Sequence, residues 1–392
     1  METHMAIQLF RPRFRTQEVL SEIEECLEAG WTGLGFKTVD LETAWKEYTG
    51  LKHAHCLNSA TAGLHLAIAV MKTKYGWADG DEIITTPLTF ISSNHAILYE
   101  NMKPIFADVD NYLCLDPESV ERLITPKTRA LIFVGLGGNT GQLKSISELC
   151  KKKGIKLILD AAHMAGSTLD GEQPANLADV TVYSFQAVKN MPTGDLGMIC
   201  FPDEDDDAAT RRLSWLGISK DTYARANASV DKKATYKWYY DVDSVGYKYH
   251  GNAIMAGVGL VSLKYLDEDN SFRREVCAKY DQHFHGANNV GTIEVAPGCQ
   301  SSRHLYQILV ENRDELMSTL NSLEIYPGVH YRDNLLYPMY AEQDGTCPKA
   351  RYYSDRILSL PLHTFLTDDE IATVADAVKT HAVAPVPLSS AT

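Results

Sequence analysis

The sequence predicts an α/β fold in which helices flank a large, mostly parallel sheet and a smaller α+β domain follows. Apolar, strand-like runs alternate with helical segments from DEIITT (81–86) to GMICF (197–201), which is typical of parallel sheets. Apolar residues return with helical spacing over residues 251–266, where a long helix would lead into the second domain. A chain of 392 residues is long enough for both units. We therefore expect a large domain over residues 10–250 and a small C-terminal domain over residues 251–392.

The composition argues against several classes of partner. The net charge of −14 at pH 7 would repel nucleic acids and anionic membrane surfaces. No run of about 18 apolar residues occurs, so no membrane span is expected. The eight scattered cysteines form no CxxC pair, which indicates reduced thiols in a soluble cytoplasmic protein. His53, His55 and Cys56 do not predict a metal site, because strand alternation places Cys56 on the face opposite to the histidines.

The stretch LKHAHCLNSATAGLHLAI (51–68) predicts a helix whose start could bind an anion. Apolar residues recur at helical spacing after Ser59, which is a good N-cap. The amides of Ala60 and Thr61 would then point out of the helix start, where the helix dipole stabilises an anion such as phosphate. Capping without any ligand would explain the same residues.

Polar residues with a chemical use follow two of the apolar runs. Asp160 ends KLILD and Ser184 ends VTVYS, and open α/β sheets place their chemistry at the carboxyl ends of strands. Lys189 comes next in the chain, and it is the only Lys or Arg between Lys156 and Arg211. An amine isolated in an apolar, glycine-containing turn is not an ordinary solubilising lysine, so these side chains are candidates for a site.

Three kinds of enzyme could use these residues. The glycine-rich turn VGLGGNTG (134–141) suggests a nicotinamide enzyme, but Thr140 stands where the GxGxxG fingerprint requires glycine. A serine hydrolase would need a GxSxG elbow, and the context of Ser184 does not provide one. A pyridoxal-phosphate (PLP) enzyme needs an amine for a Schiff base, a carboxylate for the ring nitrogen, hydroxyls and amides for the phosphate, and a stacking aromatic ring. The sequence supplies all of these parts.

Several motifs resemble, in their order and spacing, those of one enzyme family. They are NSATAGLHLAI, DEIITTPLTFISSNHAILYENMKPIFADVD, DAAHMAG, YSFQAVKN, GYKYHGN, GVHYR and ILSLPLH. Over about residues 10–381 the chain resembles the DegT/StrS family of PLP-dependent nucleotide-sugar aminotransferases, and it is most similar to the UDP-4-amino-4-deoxy-L-arabinose type. The resemblance implies a fold type I aminotransferase with PLP as cofactor, present as pyridoxamine phosphate (PMP) during turnover.

The resemblance assigns two catalytic residues. Lys189 matches the family's Schiff-base lysine, which also moves a proton between the cofactor and the substrate carbon. Asp160 matches the carboxylate that pairs with the pyridine nitrogen and keeps it cationic. His163 matches a Gln or His near the cofactor's ring oxygen, although a core histidine is an equal interpretation.

The remaining cofactor contacts also follow from the resemblance. Ser59 and Ser184, with the amides of Ala60 and Thr61, would hold the phosphate. Phe90 in PLTF matches the aromatic residue that stacks on the ring.

Two places depart from the family pattern. Lys248 stands where much of the family has an asparagine that reaches the neighbouring subunit's phosphate, which implies a homodimer with shared active sites. Asp195 and Leu196 replace Glu-Gly or Gly-Gly, and the added bulk would reshape the sugar pocket. His330 and Arg332 in GVHYR either reach the substrate or have a structural role.

The implied reaction is amino transfer from L-glutamate, which becomes 2-oxoglutarate, to a 4-keto or 3-keto deoxysugar on a nucleoside diphosphate. The product would enter amino-sugar biosynthesis. A cyclitol ketone (inosose) as acceptor, or a non-catalytic regulatory protein, are the alternatives. A dehydratase of the same architecture has histidine in place of the lysine, so Lys189 argues against it.

Overall fold

The structure, a computed structural model, describes residues 6–219 and 240–388. Its elements are α1 Thr16–Glu28, α2 Phe36–Thr49, β1 His55–Leu57, α3 Ala60–Tyr75, β2 Glu82–Thr85, α4 Ser92–Tyr99, β3 Lys103–Phe106, α5 Pro117–Leu123, β4 Thr128–Val134, α6 Leu143–Lys153, β5 Lys156–Asp160, β6 Thr168–Leu169, β7 Val180–Ser184, β8 Gly197–Cys200, α7 Glu204–Ser214, α8 Ala253–Lys264, α9 Leu266–Phe284, β9 Gly291–Thr292, β10 Cys299–Gln300, β11 Tyr306–Leu309, α10 Arg313–Ser322, α11 Pro348–Arg356, β12 Ile357–Leu360 and α12 Asp368–His381. Within the described ranges, no helix is both long enough and apolar enough to cross a membrane.

The large sheet has seven strands in the order β1-β8-β7-β5-β4-β2-β3. Strands β7, β5, β4, β2 and β3 pair in parallel, whereas β8 runs antiparallel to both of its neighbours. The prediction of a mostly parallel α/β fold is confirmed. Asp160 of β5 pairs with Val182 of β7, so the carboxyl ends of these two strands lie side by side.

Side chains on the two faces of this sheet fill two separate cores. On β4, Leu131 and Phe133 belong to one core, and Ile132 and Val134 belong to the other. This is the period of two that a strand buried on both faces requires. Helix α2 adds the fully buried Trp45 to the first core, and α3 covers the second, where it packs against α4 and α7.

A second sheet, antiparallel and ordered β12-β11-β9, carries the smaller group of elements. Helix α12 packs against both α9 and α10 above this sheet and closes a separate core. The helix predicted over residues 251–266 is confirmed as α8, which ends where the backbone of Tyr265 (φ −110°, ψ 4°) leaves the helical region before α9 begins. Helix α8 packs on α1 and α2, and its Ala256 lies in the first core of the large sheet. The domain division after residue 250 stays a prediction.

Candidate active site

A cavity of about 450 Å³ lies at the carboxyl ends of β5 and β7, beside the start of α3. This volume is typical of a small-molecule site, for which about 300–1,000 Å³ is usual. The cavity wall contains all but one of the side chains that the sequence predicted for the site. These are Ser59, Ala60, Thr61, Phe90, Asp160, His163, Ser184 and Lys189.

Lys189 lies in the turn that follows β7, where its amide donates a hydrogen bond to the carbonyl of Gln186 (2.8 Å). Burial lowers the pKa of its amine to about 8, and the charge of Asp160 opposes this shift. A lysine with this pKa has a substantial neutral fraction near neutral pH. Its Nζ can therefore act both as a nucleophile and as a base.

Asp160 is the last residue of β5, and its carboxylate is buried and oriented by two donors. The Ser93 hydroxyl donates to Oδ2 (2.7 Å), and the amide of Ala162 donates to Oδ1 (3.1 Å). Burial raises the pKa of Asp160 overall, although both hydrogen bonds and the charge of Lys189 oppose the rise. The protein alone therefore does not fully offset the burial of this carboxylate, and a cationic group placed against it would stabilise it further.

The start of α3 forms another part of the wall. Ser59 caps the helix as predicted, because its Oγ accepts a hydrogen bond from the amide of Ala62 (3.2 Å). The first helical amides, of Ala60 and Thr61, have no partner within the helix, and the dipole there favours an anion. Gly197 of β8 permits this close packing, since a Cβ at that position would lie 2.5 Å from the carbonyl carbon of Ser59 and 2.6 Å from the amide nitrogen of Ala60.

Ser184 and Phe90 complete the predicted set of cofactor contacts. Ser184 ends β7, and its Oγ accepts a hydrogen bond from the amide of Gln186 (3.5 Å). Phe90 follows β2 and is 57% exposed, and its ring centre lies 6.1 Å from that of Tyr331. An aromatic ring that remains exposed in a cavity wall can stack on a planar ligand.

Three histidines line the cavity: His163, His304 and His330. The rings of His163 and His304 are 4.2 Å apart, and Phe10 stacks on His304 at 5.3 Å. Burial lowers the pKa of all three, to about 4 for His330, and the charge of Lys189 contributes to each shift. These rings are therefore neutral near pH 7 and act as hydrogen-bonding groups rather than as cations.

Lys248 and Arg332 lie outside the cavity wall. The ammonium of Lys248 lies 3.2 Å from the centre of the Trp215 ring, and burial lowers the pKa of this lysine. The Arg332 guanidinium lies over the ring of Tyr337, 5.3 Å from its centre, whereas the neighbouring His330 lines the cavity. Lys248 thus does not line the site of its own chain, and its role in a neighbouring subunit's site stays a prediction.

Sequence reasoning missed Ser93, Phe10 and His304. Ser93 orients Asp160 from the first turn of α4, and the serines of ISSN (91–94) beside PLTF were a signal that could have suggested it. Phe10 and His304 are distant in sequence and stack only after the chain has folded. No local pattern marks either of them.

The comparison with known proteins identifies the family. Residues 14–379 match the DegT/DnrJ/EryC1/StrS aminotransferase family. The chain belongs to this family. This DegT/StrS-family chain is 34% identical over 375 residues to the spore coat polysaccharide biosynthesis protein SpsC of Bacillus subtilis, with 93% of this chain and 94% of SpsC covered. It is 31% identical over 377 residues to the dTDP-4-dehydro-2,3,6-trideoxy-D-glucose 4-aminotransferase of Saccharopolyspora spinosa, with 94% and 95% covered.

Solved structures of the family share the fold and show the cofactor. Spr1654 of Streptococcus pneumoniae in its PMP form has a TM-score of 0.87 and 30% identity, with 95% of this chain and 98% of that chain covered. Its PLP form has a TM-score of 0.86 at 28% identity, with 96% and 98% covered. The predicted family, fold and cofactor are confirmed: the DegT/StrS-family chain is a PLP-dependent sugar aminotransferase.

The groups in the cavity fit PLP. The aldehyde requires an amine of lowered pKa, as Lys189 has, and the ring nitrogen requires a buried carboxylate, as Asp160 provides. The phosphate requires amides such as those at the start of α3. This assignment of each residue to a part of the cofactor stays a prediction.

Proposed function

We propose that this transaminase moves the amino group of L-glutamate to a keto sugar carried on a nucleoside diphosphate. The observation that supports it most is that Lys189 and Asp160 share a cavity with the start of α3. PLP, when bound, supplies an aldehyde that condenses with amines and a ring that accepts electrons from the substrate carbon. The chain itself supplies orientation and proton transfer.

Lys189 has two tasks in this proposal. Its Nζ holds the cofactor at rest, and after the amino donor displaces it, the same Nζ takes the proton from the carbon that bears the amino group. In the second half-reaction Nζ returns a proton to the sugar carbon that was the ketone. A pKa of about 8 suits both directions, because the amine is neither permanently charged nor a very weak base.

Asp160 keeps the ring nitrogen protonated, and Ser93 and the amide of Ala162 hold its two oxygens in place. In the same proposal Ser59, Ser184 and the amides of Ala60 and Thr61 would hold the phosphate, and His163 would be a neighbour of the ring oxygen. The exposed Phe90 ring would stack on the pyridine ring. These residues would fix the orientation of the cofactor, so that Lys189 takes and returns the proton on the same face.

The nucleotide-linked acceptor is supported by one relative, and two residues of the cavity wall bear on the choice of sugar. The S. spinosa relative is named for a dTDP-linked keto deoxysugar, and it matches this chain over almost its whole length. Asp195 and Leu196, which depart from the family pattern, line the cavity beside Ser184. We expect these two side chains to select among sugar acceptors. The homodimer with shared sites and the cytoplasmic location stay predictions.

The two half-reactions test the proposal separately. L-glutamate should convert the PLP form to the PMP form and release 2-oxoglutarate, and a nucleotide-linked keto sugar should restore the PLP form. A panel of dTDP- and UDP-linked 4-keto and 3-keto sugars, the free sugars and inososes identifies the acceptor. If inososes react faster than every nucleotide-linked sugar, the acceptor is a cyclitol and the proposed nucleotide-sugar substrate is wrong. Failure of glutamate and every other amino donor to form PMP would favour the regulatory alternative.

A further inference from the structure

The glycine-rich turn that resembled a dinucleotide fingerprint has a contact that the cofactor chemistry does not explain. It follows β4 and packs against His163, and the amide of Gly137 (φ +64°) donates a hydrogen bond to Nδ1 of that ring (3.2 Å). At Gly138 (φ +87°) a Cβ would lie 2.3 Å from the Oγ of Ser302 and 3.0 Å from the carbonyl oxygen of His163. Glycine is therefore required for the turn to approach the histidine this closely.

The Gly137 contact fixes the tautomer of His163. A backbone amide can only donate, so Nδ1 must be the unprotonated nitrogen, and in a neutral ring the hydrogen is then on Nε2. The ring is neutral because burial and the charge of Lys189 lower its pKa well below the ordinary value. Nε2 lies 3.2 Å from the hydroxyl oxygen of Tyr331. His163 therefore donates to Tyr331, and the tyrosine oxygen is the acceptor.

Because His163 donates in this hydrogen bond, the hydrogen of the Tyr331 hydroxyl is available for another acceptor. Tyr331 lines the cavity, and within residues 6–219 and 240–388 its hydroxyl has only His163 as a hydrogen-bond partner. Burial raises the pKa of Tyr331, and the charge of Asp160 adds to the rise, so the hydroxyl keeps its proton. A tyrosine hydroxyl that already accepts one hydrogen bond still has its hydrogen to donate, and an oxygen atom of a ligand in the cavity can accept it.

We propose that Tyr331 donates a hydrogen bond to an oxygen atom of a molecule bound in the cavity, and that Gly137 and His163 are positioning residues that fix this donor direction. The inference rests on the proposed function, because it needs a cofactor and a keto substrate in the cavity. The acceptor oxygen belongs either to the cofactor ring or to the substrate, and the two sources give different signatures.

The variant Tyr331→Phe removes only the hydroxyl, and Tyr280→Phe is a matched control. The buried Tyr280 hydroxyl donates to the carbonyl of Pro361 in the core of the small sheet, away from the cavity. We expect Tyr331→Phe to lower kcat/KM by about tenfold to a hundredfold and Tyr280→Phe to leave it unchanged.

The signature of Tyr331→Phe identifies the acceptor. A higher KM for the keto substrate with an unchanged visible spectrum identifies an oxygen of the substrate. A shifted visible band and weaker PLP binding identify the ring oxygen of the cofactor. Wild-type kinetics and an unchanged spectrum would overturn the inference. If the wild-type enzyme itself forms no PMP, the proposed function has failed, which is a separate result.

Replacing His163 tests the donor direction. In His163→Gln the amide oxygen can accept from Gly137 while the amide nitrogen donates to Tyr331, whereas His163→Met can do neither. We expect His163→Gln to retain most of the activity. When Tyr331→Phe is added to His163→Met, kcat/KM should fall little further than it does in His163→Met alone. Nitrogen-15 NMR of the cofactor-free protein, with the His163 signals assigned by their loss in His163→Gln, should show the hydrogen on Nε2. A hydrogen on Nδ1, or equal losses in the two His163 variants, would refute the proposed direction.

Discussion

The side chain with the clearest chemical consequence is Lys189, whose pKa burial lowers to about 8. Only a neutral amine attacks an aldehyde, so covalent uptake of PLP by the cofactor-free protein should accelerate as the pH rises through about 8 and then level off. Stopped-flow absorbance measures this rate. A rate that keeps rising towards the pKa of an ordinary lysine would contradict the burial argument, and Lys189→Ala should show no covalent uptake.

Asp160 gives a second prediction at this scale. Asp160→Asn keeps the shape but loses the charge, and we expect kcat of the glutamate half-reaction to fall by about 10²–10³-fold. Ser93→Ala should lower the same kcat by about tenfold or less. It removes one hydrogen bond that lowers the pKa of Asp160, but it leaves the carboxylate in place. Both variants should still bind PLP through Lys189. A kcat of Asp160→Asn close to that of the wild type would remove Asp160 from the mechanism.

How far sequence predicts a site residue depends on how local its signal is. Asp160, Ser184 and Lys189 could be found because each follows a strand, and parallel strands bring their carboxyl ends to one edge. Phe10 and His304 could not, because their importance comes from contacts with residues distant in sequence. The tautomer of His163 depends on one backbone amide of a separate turn, which no motif shows.

At the scale of elements, a buried polar cluster ties α2 to the edge strand β1 and to α7. Glu42 of α2 accepts hydrogen bonds from His55 (2.9 Å) and from the amide of Cys56 (2.8 Å), and it pairs with Arg211 (2.9 Å). His55 also contacts the Ser214 hydroxyl (2.8 Å). Glu42, His55, Arg211 and Ser214 each have a hydrogen-bond partner, so the cluster fixes the place of the edge strand.

Glu42→Gln should lower the free energy of unfolding by about 1–3 kcal/mol at pH 7, because Arg211 loses one of its two carboxylate partners and keeps only Asp207. Urea denaturation measures the change. The matched control is Asp170→Asn, which breaks the exposed pair with Lys144 and should change stability by about 0–1 kcal/mol. Equal losses in the two variants would show that burial of the pair is unimportant.

The same pair predicts a dependence on pH. Burial raises the pKa of Glu42, but the hydrogen bond from His55 and the charge of Arg211 outweigh this and bring it below its ordinary value of 4.5. A carboxyl group with a lowered folded-state pKa stabilises the fold fully above its unfolded pKa and loses this effect as the pH falls through the folded pKa. The stability difference between wild type and Glu42→Gln should therefore shrink below pH 4.5.

Element boundaries were predictable where a capping residue marks them. Ser59 predicted the start of α3, because its hydroxyl oxygen accepts a hydrogen bond from an amide of the first turn. The helix that follows Tyr265 was not predicted, since residues 267–271 (DEDNS) contain no apolar residue and the helical spacing of apolar residues stops at Leu266. What separates α8 from α9 is the core that each joins, and this is a property of the folded chain.

At the scale of the whole molecule, one chain places eight of the nine predicted residues at its cavity and leaves Lys248 beside Trp215. The alternation of strands and helices along the chain was enough to predict the large sheet. It could not show where Lys248 acts, because that depends on a second copy of the chain.

Subunit complementation tests the proposed sharing of sites. If Lys248 serves the neighbouring subunit, heterodimers of Lys189→Ala and Lys248→Ala contain one intact site, and an equal mixture should recover about one quarter of the wild-type activity at limiting PLP. A mixture of Lys189→Ala with Asp160→Ala is the control, because both changes damage sites within their own chains. Recovery in neither mixture would argue against a shared site that uses Lys248.

The most direct test of the central claim is to locate the covalent attachment of the cofactor. Purified protein loaded with PLP is reduced with borohydride, digested and examined by peptide mass spectrometry. The proposed site predicts a phosphopyridoxyl group on the peptide that contains Lys189, and none at the same position in Lys189→Ala. Attachment at another lysine, or an active enzyme with no attachment at all, would contradict it.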